Sequence, residues 1–214
     1  MTPTGPVTLA GSHVRLEPLA LAHVDALVAA ATEGRESYGL TYVPADRDAM
    51  DAYVRSALAD AGRGAAVPFA TLRRDGRVVG STRFYPIDRW TWPPPLRHLD
   101  RPPGHADVVE IGWTWLAASA QRTAINTEAK LLMLGHAFET WEVRRVTIKT
   151  DARNQRSRTA IARLGARLDG IWRSNQPAAD GTERDSAMFS ILAAEWPAVR
   201  AGLLARLDSP SATP

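Results

Sequence analysis

Apolar positions recur along this chain with two periods, near two and near three and a half, and their order sorts it into strands and helices. Val7 to Leu19 reads as a first strand ending at Pro18, with His13, Val14, Arg15 and Leu16 alternating. Leu21, Val24, Leu27 and Val28 then make a helical stripe over Ala20 to Ala31. After a loop from Gly34 to Pro44, Asp46 stands where an N-cap would open a helix carrying Met50, Tyr53, Val54 and Leu58. Val67 to Leu72 and Val78 to Tyr85 flank Asp75-Gly76, a strong hairpin signal.

The second half repeats the mixture. Val108 to Trp115 reads as a central strand, and Thr123 to Trp141 as a helix striped by Leu131, Leu134, Phe138 and Trp141. Val143 to Thr150 alternates as a strand, and Asn154 to Leu164 is helical with Gly165 at its left-handed end. Arg167 to Asn175 and Arg184 to Leu192 read as strands around Asp180-Gly181, followed by an amphipathic helix from Glu195 to Leu207. Between the halves, residues 86–107 hold Trp90-Thr-Trp92-Pro-Pro-Pro95 and Arg101-Pro-Pro-Gly104. So much proline forbids regular structure, and the length predicts a functional or interface loop rather than an idle connector. The whole predicts one α/β domain of the α+β kind, a mixed sheet flanked by helices, with residues 1–6 and 209–214 as tails.

Composition narrows the possibilities. The 214 residues are 45% hydrophobic and 23% charged, ordinary for a soluble globular chain able to bury a core. No apolar run approaches the roughly 18 residues a membrane span needs, and no secretion signal opens the chain. There is no cysteine, which removes disulfides, thiolate ligands and thiol nucleophiles. A cytoplasmic location is therefore expected. Lys130 and Lys149 are the only lysines, so almost all positive charge is arginine, and Arg144, Arg145, Arg153, Arg156 and Arg158 gather late in the chain. Arginine forks suit phosphate oxygens, and one or two of these are expected on a cofactor with the rest solvated. The net charge of +3 and the lack of a basic-aromatic module argue against nucleic acid.

Two cassettes carry the candidate chemistry. Gln121-Arg-Thr-Ala-Ile-Asn-Thr-Glu-Ala-Lys130 follows the central strand and opens a helix. A strand, a short loop and a helix start present free backbone N–H groups and the positive end of the helix dipole, a setting for an anion such as a pyrophosphate. The second cassette runs from Asn154 through Ser157 and Ile161 to Ala166. Asn154 and Ser157 also suit the first turn of any helix. Strand alternation groups Glu110, Gly112, Thr114 and Leu116 on one face and Ile111, Trp113 and Trp115 on the other. Glu110 is the only acid inside that strand; its structural alternative is a solvated or paired glutamate, with Arg83 on the neighbouring strand as partner. His136 and Glu139 share a helical face without the third ligand a zinc site needs, so no metal is expected.

Together the cassettes resemble the GNAT superfamily of acyl-CoA-dependent N-acyltransferases, and within it the RimJ/RimL-like branch, over roughly Val7 to Leu207. The resemblance implies a mostly antiparallel central sheet and acetyl-CoA as donor. The family's Gln/Arg-x-x-Gly-x-Gly/Ala loop falls on Gln121, Ala124 and Asn126, where Ala124 replaces a glycine and Asn126 departs from the small residue. It implies that Gln121, Arg122, Thr123, Ala124, Ile125, Asn126 and Thr127 hold the pyrophosphate. Asn154 and Arg156 would contact the rest of the cofactor. Backbone N–H groups near Trp115 and Leu116 would polarise the thioester, and Glu110 would serve as general base. The tyrosine that many members carry is Ile161 here; the branch has a serine at the position of Ser157, placed to hydrogen-bond the leaving thiolate. Arg83 and Tyr85 are expected on the side of an amine acceptor, a peptide N-terminus or small molecule. Members often dimerise, so a homodimer is a further expectation. The altered loop and missing tyrosine leave a rival, a non-catalytic acyl-CoA-binding module on the same scaffold.

Overall fold

The computed structural model describes residues 4–208. Its centre is one sheet of eight strands in the order β1-β2-β3-β4-β5-β6-β8-β7. These are β1 (Leu9–Ala10), β2 (Val14–Pro18), β3 (Val67–Arg73), β4 (Val78–Asp88), β5 (Val108–Leu116), β6 (Arg145–Asp151), β7 (Arg167–Pro177) and β8 (Glu183–Leu192). Every pairing is antiparallel except β5 with β6. That exception follows from the connection, since parallel neighbours need a crossover and a helix supplies it. The crossover is α3 (Ala124–Gly135), while α1 (Val24–Thr32) and α2 (Arg47–Gly62) join β2 to β3. α4 (Gln155–Arg163) and α5 (Trp196–Asp208) complete the set.

Side-chain contacts fix the layers. On β4, Ser81 meets Tyr53 of α2, whereas Thr82 meets Met133 of α3 and Phe84 stacks near Trp141 just beyond it. The two helix layers therefore cover opposite faces, with Leu16, Leu27, Phe69, Phe84, Ile111 and Leu134 wholly buried between them and the sheet. Asp46 caps α2 as expected, accepting the Ala49 N–H at 2.8 Å. Gly165 adopts φ 95° after α4, a conformation that a side chain would strain.

Several boundaries differ from expectation. The first strand is a short hairpin, because the chain turns at Gly11 onto Glu128 of α3. That carboxylate accepts N–H groups of Ser12, His13 and Val14 at 2.8, 2.6 and 2.8 Å. A side chain on Gly11 would meet it, the Cβ falling 2.4 Å from the carboxylate carbon. The helix expected to reach Trp141 ends its α-helical part at Gly135 and closes with a wider turn over His136–Thr140. Residues 86–107 do not hang free. Asp107 is buried and accepts from Arg144 Nε at 3.0 Å and from the Trp90 N–H at 2.9 Å. Arg101 reaches from the loop to the carbonyl of Trp141 at 3.2 Å, fastening it to the end of the α3 layer. Of the expected N-terminal tail, Thr4 is buried and accepts from Arg89 at 3.0 Å; residues 1–3 and 209–214 lie outside the described residues.

Candidate active site

The parallel strands part company in the middle of the sheet. β5 and β6 pair only at Val108–Arg145, Val109–Val146 and Glu110–Thr147, although β5 runs on to Leu116 and β6 to Asp151. Glu110 thus stands at a fork, beyond which each strand offers an unpaired edge to the other. The fork adjoins a bulge: Ser81 faces Trp115 and Arg83 faces Gly112, leaving Trp113 and Thr114 opposite Thr82. Trp113 takes φ 53° there. A bulge turns the following side chains to the other face, so the expected grouping of Glu110 with Thr114 and Leu116 fails. Thr114 Oγ1 instead meets Thr82 Oγ1 at 2.8 Å and Lys130 Nζ at 2.7 Å on the α3 side. Trp113 turns to the α2 side beside Tyr53, and Trp115 packs edge-on against Tyr38. Only glycine admits so close a crossing at position 80, where a Cβ would fall 2.1 Å from the carbonyl oxygen of Trp115.

The Ala117 N–H donates to Val79 O at 2.7 Å, toward β4. Alternation then directs the Leu116 N–H into the gap and the Trp115 N–H back toward β4, so of the two expected polarisers only Leu116 faces the fork.

At the open end of the gap lies the start of α3. Thr123 caps it, accepting the Ile125 N–H at 3.3 Å while donating to Ala120 O at 2.8 Å. The helix supplies no carbonyl one turn earlier for the N–H groups of Ala124 and Asn126. Arg122 and Thr123 are exposed and Ala124, Asn126 and Thr127 half-buried, so the helix mouth opens outward; Ile125 is buried in the core. The left-handed residue of the loop is Arg122, φ 60°, while Ala124 and Asn126 are already helical. The replaced glycines are therefore not needed for a positive φ. Gln121 serves the loop itself, donating through Nε2 to Leu116 O at 2.9 Å and Ser37 Oγ at 2.8 Å.

Glu110 is buried, 7% exposed, and burial pushes its carboxyl above the usual range; Lys149 and Arg184 pull the other way. Lys149 Nζ lies 3.3 Å from its carboxylate. The expected partner Arg83 is elsewhere. Desolvation outweighs the ion pair because only one cation touches a group otherwise shut off from water. Across the gap, Asn154 caps α4 by accepting the Ser157 N–H at 3.0 Å. Ser157 is half-buried. Arg156 donates to Ser37 O at 2.7 Å, so Ser37 is held from both sides of the fork. Of the other clustered arginines, Arg144, Arg145 and Arg153 pair with Asp107, Asp169 and Asp151, and Arg158 donates to Ala152 O at 3.2 Å.

The sequence matches the profile of the acetyltransferase (GNAT) domain over residues 13–167. The chain belongs to the GNAT family. It is therefore an acyl-CoA-dependent N-acetyltransferase by family, with the mostly antiparallel sheet expected of one. A provisionally assigned acetyltransferase from T. thermophilus is 35% identical, with 94% of this chain and 97% of that one covered and a TM-score of 0.76. A GCN5-related N-acetyltransferase from Brucella melitensis is 29% identical over 96% of this chain and 86% of that one, TM-score 0.79. RimJ of Mycobacterium smegmatis, solved with CoA-disulfide, shares the fold at 22% identity, covering 96% and 97% of the two chains with a TM-score of 0.77. No curated protein matches this chain.

On the α2 side of this GNAT sheet, Arg83 is only 2% exposed and lies between two rings, 4.8 Å from Tyr53 and 4.4 Å from Trp113. Asp60 lies 3.9 Å from its Nη1, and its Nε and Nη2 have no hydrogen-bond partner among the described residues. Tyr85, two residues on, is half-buried. Sequence reasoning missed Lys149, Lys130, Glu128, Ser37 and Arg184. A signal existed for Lys149: it alternates with Thr147 and Asp151 on a strand that follows the cofactor helix. Lys130 and Glu128 looked like ordinary polar positions on a helix and gave none.

Proposed function

We propose that this GNAT protein transfers the acetyl group of acetyl-CoA to a primary amine, a peptide N-terminus or a small molecule, by direct attack in a ternary complex. The observation that carries this is the position of Glu110, a buried carboxylate at the point where β5 and β6 separate. The residues present fit the donor: an unpaired strand edge suits the amide-bearing arm of CoA, and the α3 start suits its pyrophosphate. The amides of Ala124 and Asn126 and the Arg122 side chain hold the phosphates, and Asn154 and Arg156 border the arm. Bound acetyl-CoA supplies an activated thioester carbonyl.

The chain's own groups do the rest. Glu110, its affinity for a proton raised by burial, takes the proton that the acceptor ammonium must lose before its nitrogen can attack. Leu116 offers its N–H to the carbonyl oxygen as negative charge gathers there. Ser157 donates its hydroxyl to the departing sulfur, a modest contribution from a weak acid. Arg83 and Tyr85 lie on the face from which the acceptor enters. Thiol release from acetyl-CoA and from other short acyl-CoAs, measured over an amine panel, tests the reading. CoA binding without thiol release on any amine would sink it and leave a binding module.

A further inference from the structure

Trp113 stands three residues along β5 from Glu110 in a backbone conformation that bulky side chains rarely adopt, φ 53°. Strain of this kind persists only where the surroundings hold it, and bulges beside active sites re-aim side chains. Here the bulge turns the indole to the α2 side, where it is 47% exposed. One face of the ring lies on the Arg83 guanidinium at 4.4 Å, so the exposure belongs to the opposite face and the edge. Arg83 is buried beneath it against Tyr53 and has Asp60 at 3.9 Å, so this cation is closed to a ligand. Arg83 faces Gly112 across the β4–β5 pair, and a Cβ on Gly112 would come 2.9 Å from Glu110 Oε1. Glu110, Gly112 and Trp113 therefore share one side of the sheet, and the bare backbone of Gly112 leaves a lane from carboxylate to indole.

We propose that the outer face of Trp113 seats an uncharged aromatic group of the acceptor, and that Arg83 behind the ring turns cationic groups away. The inference rests on the transfer reading, since Glu110 as base fixes the nitrogen at the other end of the lane. Three residues of strand span roughly 10 Å, a reach that a ring on the first or second residue of a peptide covers. A flat apolar group stacks offset or edge-on against an indole and leaves water in doing so. A cation is ordinarily drawn to an indole face as well, but here the π electrons already face a guanidinium on the inner side. A second positive charge on the outer side meets the repulsion of Arg83 across a ring's thickness of poorly polarisable material.

The test measures transfer, at saturating acetyl-CoA, to alanyl-alaninamide as parent and to its phenylalanine and arginine versions at either position, each with a single primary amine. At least one phenylalanine peptide is expected to exceed the parent about tenfold in kcat/KM, carried by KM, with arginine at that position no better than the parent. Trp113→Ala should bring the favoured peptide to within about twofold of the parent, and Trp113→Phe should keep part of the preference. Arg83→Met should raise the arginine peptide about threefold or more relative to the parent, and Asp60 keeps Arg63 as partner in that variant. Should a Trp113 variant lose its cooperative thermal transition, Arg83→Met decides through the arginine peptide. Phenylalanine peptides equal to the parent in the unmodified protein overturn the proposal, as do arginine peptides equal to the phenylalanine ones. A preference that survives Trp113→Ala, or an arginine rate unmoved by Arg83→Met, overturns it too. If no amine is acetylated, calorimetric binding of the same peptides to the CoA-loaded protein decides separately. Tighter binding of a phenylalanine peptide, lost in Trp113→Ala, upholds the aromatic seat while the transfer reading falls; equal binding overturns both.

Discussion

Two buried ionisable side chains sit on opposite faces of β5 and shift in opposite directions. Burial raises the Glu110 carboxyl, so the acid limb of kcat/KM should lie above that of an ordinary glutamate and activity should fall as pH drops through it. Glu110→Gln is expected to lower kcat by about 100-fold and abolish that limb, with acetyl-CoA affinity held within about twofold; an unchanged pH–rate profile rules Glu110 out as base. Lys149→Met removes the cation at 3.3 Å and should move the limb to higher pH. Lys130 is the mirror case: burial, with no ion-pair partner among the described residues, lowers its ammonium from 10.5 to about 7. Unfolded chain binds the extra proton between those two values, so this group costs nothing above pH 10.5 and its full penalty below about 7. Lys130→Met should therefore stabilise the fold by on the order of 2 kcal/mol at pH 7, a gain that fades toward pH 10. Denaturant titrations at both pH values check it, and destabilisation at pH 7 would mean a well-hydrated, charged lysine. Neither shift was readable from sequence, because each depends on which side of a bulged strand the neighbouring helix packs.

At the scale of elements, what pattern reports well is local. The Asp46 cap, the Asp75-Gly76 hairpin and the helix after Gln121 follow from chemistry within a few residues. The bulge at Trp113 does not, since alternation carries no mark of an inserted residue, and the expected face of Thr114 and Leu116 came out reversed. The Glu128 contact spans 114 to 116 positions along the chain and joins α3 to the β1–β2 turn. Glu128→Ala strands three turn amides and should cost about 3 kcal/mol, lowering Tm by roughly 5–10 °C in a thermal scan. A loss under about 0.5 kcal/mol would show that water replaces the carboxylate. The asparagine and serine that open α4 carried two readings; the capping bond at 3.0 Å establishes one of them for Asn154.

For the molecule as a whole, ligand linkage gives the broadest check. Anything that binds only the folded protein stabilises it, by about 2.7 kcal/mol at a hundredfold excess over Kd. CoA should thus raise Tm by roughly 5–10 °C, and no shift at millimolar CoA would remove the proposed site at the fork. The chain's own residues determined the class of fold, one mixed sheet with its helices in order, because periodicity and caps act over short stretches of backbone. They also determined which strand and helix start bear the cofactor cassette. Tertiary structure alone decided that β5 and β6 separate at Glu110 and that Lys149 rather than Arg83 pairs with it. Those depend on which distant segments meet and on how burial alters a charge, and neither is written in the spacing of residues along the chain.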